Sequence, residues 1–138
     1  MNTINAQEYI NQLVADKSQA QTIHIFLEQE KLSGELIISD YPNLDTIDLK
    51  NHELTTLTIN NCPNLKSVNV RGNKLSKLEM VNCEQVSELM AGNNELSQLD
   101  LSTYSNLKKL IVPDNPYLTQ IVGLNLTSIN NVNITNTL

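Results

Sequence analysis

Residues 44–64 read LDTIDLKNHELTTLTINNCPN, residues 65–85 LKSVNVRGNKLSKLEMVNCEQ, residues 86–106 VSELMAGNNELSQLDLSTYSN and residues 107–118 LKKLIVPDNPYL. Leu44, Leu65, Val86 and Leu107 stand 21 residues apart, and each opens the same pattern, LxxLxLxxNxL. Leu44, Ile47, Leu49, His52 and Leu54 fill it first; Leu65, Val68, Val70, Asn73 and Leu75 follow, then Val86, Leu89, Ala91, Asn94 and Leu96, then Leu107, Leu110, Val112 and Asn115. The second halves also align, as Leu54, Leu57 and Ile59, as Leu75, Leu78 and Met80, and as Leu96, Leu99 and Leu101. Outward from this block, Ile25, Leu27, Glu30, Leu32, Leu36 and Ile38 fit the template before it, and Ile129, Val132 and Ile134 after it. About five and a half units cover residues 22–138, and such a period marks a stack of coils.

The alternating residues of each LxLx segment point inward by the period-two rule of a strand, and those between them face out. Coils ~4.8 Å apart place each residue over its equivalent, so no coil buries its apolar side alone. The spacing predicts parallel strands near residues 46–50, 67–71, 88–92 and 109–113. A tight bend leaves inward-facing N–H and C=O groups without ladder partners, and the amides of Asn73, Asn94 and Asn115 can satisfy both kinds. A second polar column, Asn43, Asn64, Gln85 and Asn106, serves the preceding turn. Cys62 and Cys83 share a column with Tyr41 and Tyr104, which makes them neighbours expected to be buried and reduced, since stacked side chains point the same way rather than at each other.

On these residues the chain resembles the leucine-rich-repeat family, and its 21-residue unit is similar to the short repeats of bacterial internalins and of some fungal repeat proteins. The resemblance implies an α/β solenoid, a right-handed coil with a parallel concave sheet, short strands or extended turns on the convex side, and binding of another protein as its occupation. His52 and Glu30 stand at the Asn position and Pro116 follows Asn115, departing from the family pattern.

The open ends of a stack need caps. Ala6, Tyr9, Ile10, Leu13 and Val14 form a helical stripe, with Asn5 and Glu8 as a capping box, and predict a helix over residues 6–17 within a cap of residues 1–21. The repeat domain is expected over residues 22–138. No comparable cap is legible after Ile134, which leaves a continuing chain, a second chain or a frayed end as readings; an open edge of this kind invites pairing, including a homodimer through that end.

Lys and Arg number 9 against 15 Asp and Glu, a net charge of −6 without like-charged runs, which argues against nucleic acid and anionic membrane as partners. No apolar stretch suggests a secretory signal or membrane span, so a cytoplasmic location is expected. Asn125-Leu126-Thr127 and Asn133-Ile134-Thr135 match the glycosylation pattern but read as chance in an Asn-rich chain. His24 and His52 occupy different template positions, no nucleophile lies in register, and no cofactor or metal motif is present, so no enzyme is expected. The outward central column reads Phe26, Asp48, Asn69, Met90, Ile111 and Asn133, with His24, Thr46, Ser67, Glu88, Lys109 and Asn131 before it and Glu28, Lys50, Arg71, Gly92, Pro113 and Thr135 after it. Phe26, Asp48, Lys50, Asn69, Arg71, Met90 and Ile111 are the candidate partner-binding residues, because apolar anchors flanked by charge suit a protein interface. The expected function is a non-catalytic protein-interaction module, part of a larger protein or a scaffold; the alternative is a self-associating element.

Overall fold

The structure, a computed structural model, describes residues 1–137. Strand β1 (Asn2–Asn5) and helix α1 (Ala6–Leu13) precede β2 (Thr22–His24) and β3 (Glu30–Ser39). Then come β4 (Thr46–Asp48), β5 (Glu53–Asn60), β6 (Ser67–Asn69), β7 (Lys77–Val81), β8 (Glu88–Met90), β9 (Gln98–Asp100), β10 (Lys109–Ile111), β11 (Gln120–Val122) and β12 (Asn131–Asn133). Every pairing is parallel. One face is the six-stranded sheet β2-β4-β6-β8-β10-β12; the other is the four-stranded sheet β1-β3-β5-β7 together with the pair β9-β11. The chain is thus a parallel-strand β-solenoid of about five turns. The 21-residue period appears in the register itself, with Thr46 opposite Ser67, Ser67 opposite Glu88, and Glu88 opposite Lys109.

Between the sheets lies one aliphatic core in which Leu44, Ile47, Leu49, Leu54, Leu57, Ile59, Leu65, Val68, Val70, Val86, Leu89 and Leu110 are fully buried. Each such side chain is worth about 1.5–3 kcal/mol of burial, and each touches its equivalents in the coils on both sides, which makes the stack cooperative. Among the described residues no helix is long and apolar enough to cross a membrane.

Three features differ from the sequence-based expectation. The strands of the six-stranded sheet hold three residues each, shorter than the five expected, because the chain turns at the second residue after each inward Leu, Val or Ala, the positive-φ Asn51, Gly72, Asn93 and Asp114. On the other side β3 and β5 run to ten and eight residues, longer than the short strands expected and interrupted by a register shift at Gly34/Glu35, whereas β9 and β11 hold three each, as expected. The cap also differs. Helix α1 stops at Leu13 instead of residue 17, Leu13 is exposed, and Ala6 and Ile10 carry the burial. Asn5 Oδ1 accepts the Glu8 N–H at 2.9 Å, as an N-cap should. The preceding β1, which no apolar alternation announced, pairs with Glu30–Ser33, and beyond the bulge Gln7 Oε1 accepts the Ile37 N–H at 2.8 Å. Strand and helix together cover the first edge of β3.

The buried amides explain the turn chemistry. Asn73 Oδ1 accepts from the Leu54 N–H of the preceding coil, and its Nδ2 donates to Leu49 O and Val70 O. Asn94 accepts from the Leu75 N–H and donates to the Val70, Ala91 and Gly92 carbonyls; Asn115 repeats this with the Leu96 N–H and the Ala91 and Val112 carbonyls. The column ends on Thr137, whose hydroxyl donates to Val112 O and accepts from the Asn115 N–H. Just before it, Asn51, Gly72, Asn93, Asp114 and Asn136 have positive φ. So do Asp40, Asn61 and Asn82 on the opposite bend. Asn and Asp tolerate that conformation best after Gly, which accounts for the Asn-rich composition. Asn43, Asn64 and Asn106 each donate to a carbonyl one coil back, but from exposed rather than buried positions.

His52 does the work of the first Asn in the column. Its Nδ1 accepts the Leu32 N–H at 3.2 Å and its Nε2 faces Ile25 O at 3.2 Å, which requires the neutral ring with the proton on Nε2. Burial holds the imidazole below its ordinary range. A folded pKa below the unfolded one means that His52 contributes in full above about pH 6.5 and progressively less as pH falls from there. Urea midpoints should therefore drop between pH 8 and pH 5.5, and His52→Asn should flatten that drop; an unchanged slope in the variant would contradict the assignment.

Cys62 and Cys83 are buried free thiols, with Cys62 directed to Asn60 O at 3.5 Å and Cys83 to Val81 O at 3.2 Å. The contact between the two thiols pushes Cys62 up and holds Cys83 down, to about 7, so it is burial rather than ionisation that keeps the pair from reagents. Thiol reagents at pH 7.5 should label neither residue in the folded chain and both in denaturant; rapid labelling of the native protein would contradict the burial.

Candidate functional site

The outward face of the six-stranded sheet is built by the residues between the buried Ile47, Val68, Leu89 and Leu110. Register places Asp48, Asn69, Met90, Ile111 and Asn133 side by side in the central row. The first rung differs from the expectation: His24, not Phe26, lies opposite Asp48. The interval from Thr22 to Thr46 is 24 residues, so Phe26 extends the row of Lys50 and Arg71. It is 75% exposed, an aromatic platform at the end of two cations.

Charge on this face is locally balanced. Lys50 Nζ lies 3.1 Å from Asp48 Oδ2 and Lys109 Nζ 3.8 Å from Glu88 Oε2. Such pairs at a water-exposed surface are worth little, about 0–1 kcal/mol. Arg71 is exposed and forms no ion pair among the described residues, so its guanidinium is free to engage a carboxylate. His24, Asp48, Lys50, Arg71, Glu88 and Lys109, with His neutral, sum to +1, opposite in sign to the whole chain.

Met90 and Ile111 are partly buried and in direct register. Beside them a Cβ on Gly92 would stand 2.8 Å from Pro113 Cδ, so only glycine lets Pro113 lie flat against this rung. Met90, Ile111 and Pro113, which lies over the buried Gly92, therefore form a smooth apolar patch, with Lys50, Arg71 and Phe26 at one side. Asn69 Oδ1, between Asp48 and Met90, is buried without a hydrogen-bond partner.

His24 is exposed and His52 is buried in the turn column, so the two imidazoles do not share a site. Among the described residues no group of three or more His, Cys, Asp or Glu side chains is placed to hold a metal ion. The place of His24 in the central row was missed from sequence; the unequal first interval becomes visible only once strands are paired. No family model, no curated protein and no solved structure matches the chain.

Proposed function

We propose that the chain is a short leucine-rich-repeat domain, coiled right-handed with the six-stranded sheet on its concave side, and that this sheet is a non-catalytic binding face for another protein inside the cell. The observation that carries the reading is the in-register pair Met90 and Ile111 in a flat apolar patch flanked by Lys50, Arg71 and Phe26. Interfaces concentrate their energy in such anchors and leave charge at the rim.

The test is a double change, Met90→Asp with Ile111→Asp. Both side chains are in the outward row, so stability should fall by only about 1 kcal/mol, while a partner that the parent captures should be lost. Changing Lys50 and Arg71 should instead slow association and weaken its salt dependence, since rim charges steer encounter. Capture of the same partner at undiminished affinity by the double mutant would remove this face from consideration.

A second reading, self-association through the last coil, draws on its incomplete burial: Ile121, Leu124, Val132 and Ile134 are half-buried and Leu126 is 61% exposed. Sedimentation over a concentration series separates the two, because only self-association makes the sedimentation coefficient rise with concentration in the absence of a partner.

A further inference from the structure

On the side opposite that face the ladder is broken at one place. β5 and β7 are hydrogen bonded, β9 and β11 are hydrogen bonded, and β7 and β9 are not, although β6 and β8 run together unbroken across the same coils. In a parallel ladder successive residues turn their backbone groups to alternate sides. The Asn61 N–H donates to Val81 O and the Leu101 N–H to Val122 O, which turns Lys77, Glu79 and Val81 toward β5 and Leu99 and Leu101 toward β11. The backbone groups of Leu78 and Met80 on one side, and of Gln98 and Asp100 on the other, therefore face the gap.

Two side chains hold the gap open. An unbroken ladder would join the Ser102 N–H to the Met80 carbonyl. Instead the Tyr104 hydroxyl donates to Met80 O, and the Ser102 N–H donates to Asp100 Oδ1 at 2.9 Å. One coil earlier the equivalent of Tyr104 is Cys83, whose Sγ is a distant 3.9 Å from Ile59 O, and there the ladder between β5 and β7 is intact. Tyr104 is 6% exposed, and burial pushes its phenol up to about 12, so it remains a donor at neutral pH. The opening is built into the fold by these substitutions of side-chain for backbone partners.

The groove consists of two hollows of about 340 and 420 Å³ that share Leu78, Glu79 and Asp100. Its floor is apolar, with Leu78 and Leu99 buried and Val122 38% exposed. Its rim carries Glu79, Glu84 and Asp100 against Lys77, and Lys77 is already paired with Glu79 at 2.8 Å. The bonds from Ser102 hold the Asp100 carboxyl below the usual carboxylate range, so it is anionic at neutral pH.

We propose that this groove docks an extended, basic peptide segment lying along β7, with apolar side chains over Leu78 and Leu99 and its Lys or Arg side chains reaching Glu84 and Asp100. Hollows that alternate apolar and charged lining take the alternate side chains of an extended segment. The charge selects a basic partner over a second copy of this chain, whose net charge is −6. The site is independent of Met90 and Ile111, so the two readings stand or fall separately.

The test uses the full chain labelled with ¹⁵N and two blocked hexapeptides, one alternating Lys and Val and one alternating Glu and Val. The Lys/Val peptide should give saturable shifts of the Leu78, Met80, Gln98 and Asp100 amides, with affinity falling as salt rises from about 50 to about 300 mM. In the variant Glu79→Lys with Glu84→Lys, two exposed changes, that affinity should fall roughly tenfold, and the Glu/Val peptide should give no saturable shift with the parent. The proposal is overturned by absence of saturable shifts with the Lys/Val peptide at millimolar concentration, by an equal response to the Glu/Val peptide, by shifts confined to the six-stranded face, or by undiminished affinity in the charge-reversed variant.

Discussion

Asn94→Ala should lower stability by about 2–4 kcal/mol, read from urea midpoints, although it removes only a short polar side chain. The carbonyls that Asn94 contacts keep other donors: Val70 O retains Asn73 Nδ2, Ala91 O retains Asn115 Nδ2, and Gly92 O retains the Gly72 N–H. The Leu75 N–H, which donates to Asn94 Oδ1 at 3.0 Å, is left facing the core with nothing to accept it. Leaving a buried donor unpaired costs about 1–3 kcal/mol, and the vacated space adds to that. Asn94→Asp provides a second reading of the same geometry. It restores the acceptor for Leu75 but sets a carboxylate against the Val70, Ala91 and Gly92 oxygens. Its folded pKa must then lie above the unfolded one, so the variant should be at its best at low pH and lose stability as pH rises. If Asn94→Ala were as stable as the parent, the amide column would not be what closes the turns.

Leu89→Ala should cost a comparable or larger amount, about 2–5 kcal/mol. Leu89 is fully buried and stands between Val68 and Leu110 in adjacent coils. Its cavity opens in the middle of the stack, where relaxation would have to move both neighbouring coils, and stability in such a stack is a sum over neighbour interfaces. Met90, the next residue, projects outward, and the double Asp change there is expected to cost about 1 kcal/mol. A residue in the core and its neighbour on the surface should thus differ several-fold in stability cost while differing in the opposite sense for partner binding. A Leu89→Ala protein with unchanged midpoint would mean that the inward and outward sets had been exchanged.

Much of this was legible because one period carried it. Leu44, Leu65, Val86 and Leu107 fixed which residues are equivalent, and equivalence predicted the rungs Asp48, Asn69, Met90 and Ile111, the buried Asn73 and Asn94, and the neighbouring cysteines. The first rung was misplaced for a physical reason. Ile23, Ile25 and Leu27 alternate with polar or exposed residues, and a slip by two residues keeps every side chain on its own face. The apolar pattern therefore fits both registers, and only strand pairing chooses His24 as the neighbour of Asp48. β1 was invisible because Asn2-Thr3-Ile4-Asn5 contains a single apolar residue; it is a strand because β3 offers an edge. The opening between β7 and β9 was hidden in the opposite way. Leu99 and Leu101 continue the template without interruption, and the change lies in Tyr104 and in the Asp100-to-Ser102 turn, which leave the apolar pattern untouched. The role of His52 was half visible: it was recognisable as a departure at an Asn position, but only the bonds to Leu32 and Ile25 show that a neutral imidazole closes the turn as an amide would.

The central claim is that 21-residue coils stack in parallel and in register, so that Met90 and Ile111 become neighbours on one outward face. NMR couplings transmitted across hydrogen bonds test it directly, since each names its own donor and acceptor. The Val70 N–H should correlate with the Met90 carbonyl, the Ala91 N–H with that of Ile111, and the Val112 N–H with that of Asn133. Correlations in the reverse order along the strands, or pairing of these amides with carbonyls outside the adjacent coil, would contradict both the stack and the binding face built on it.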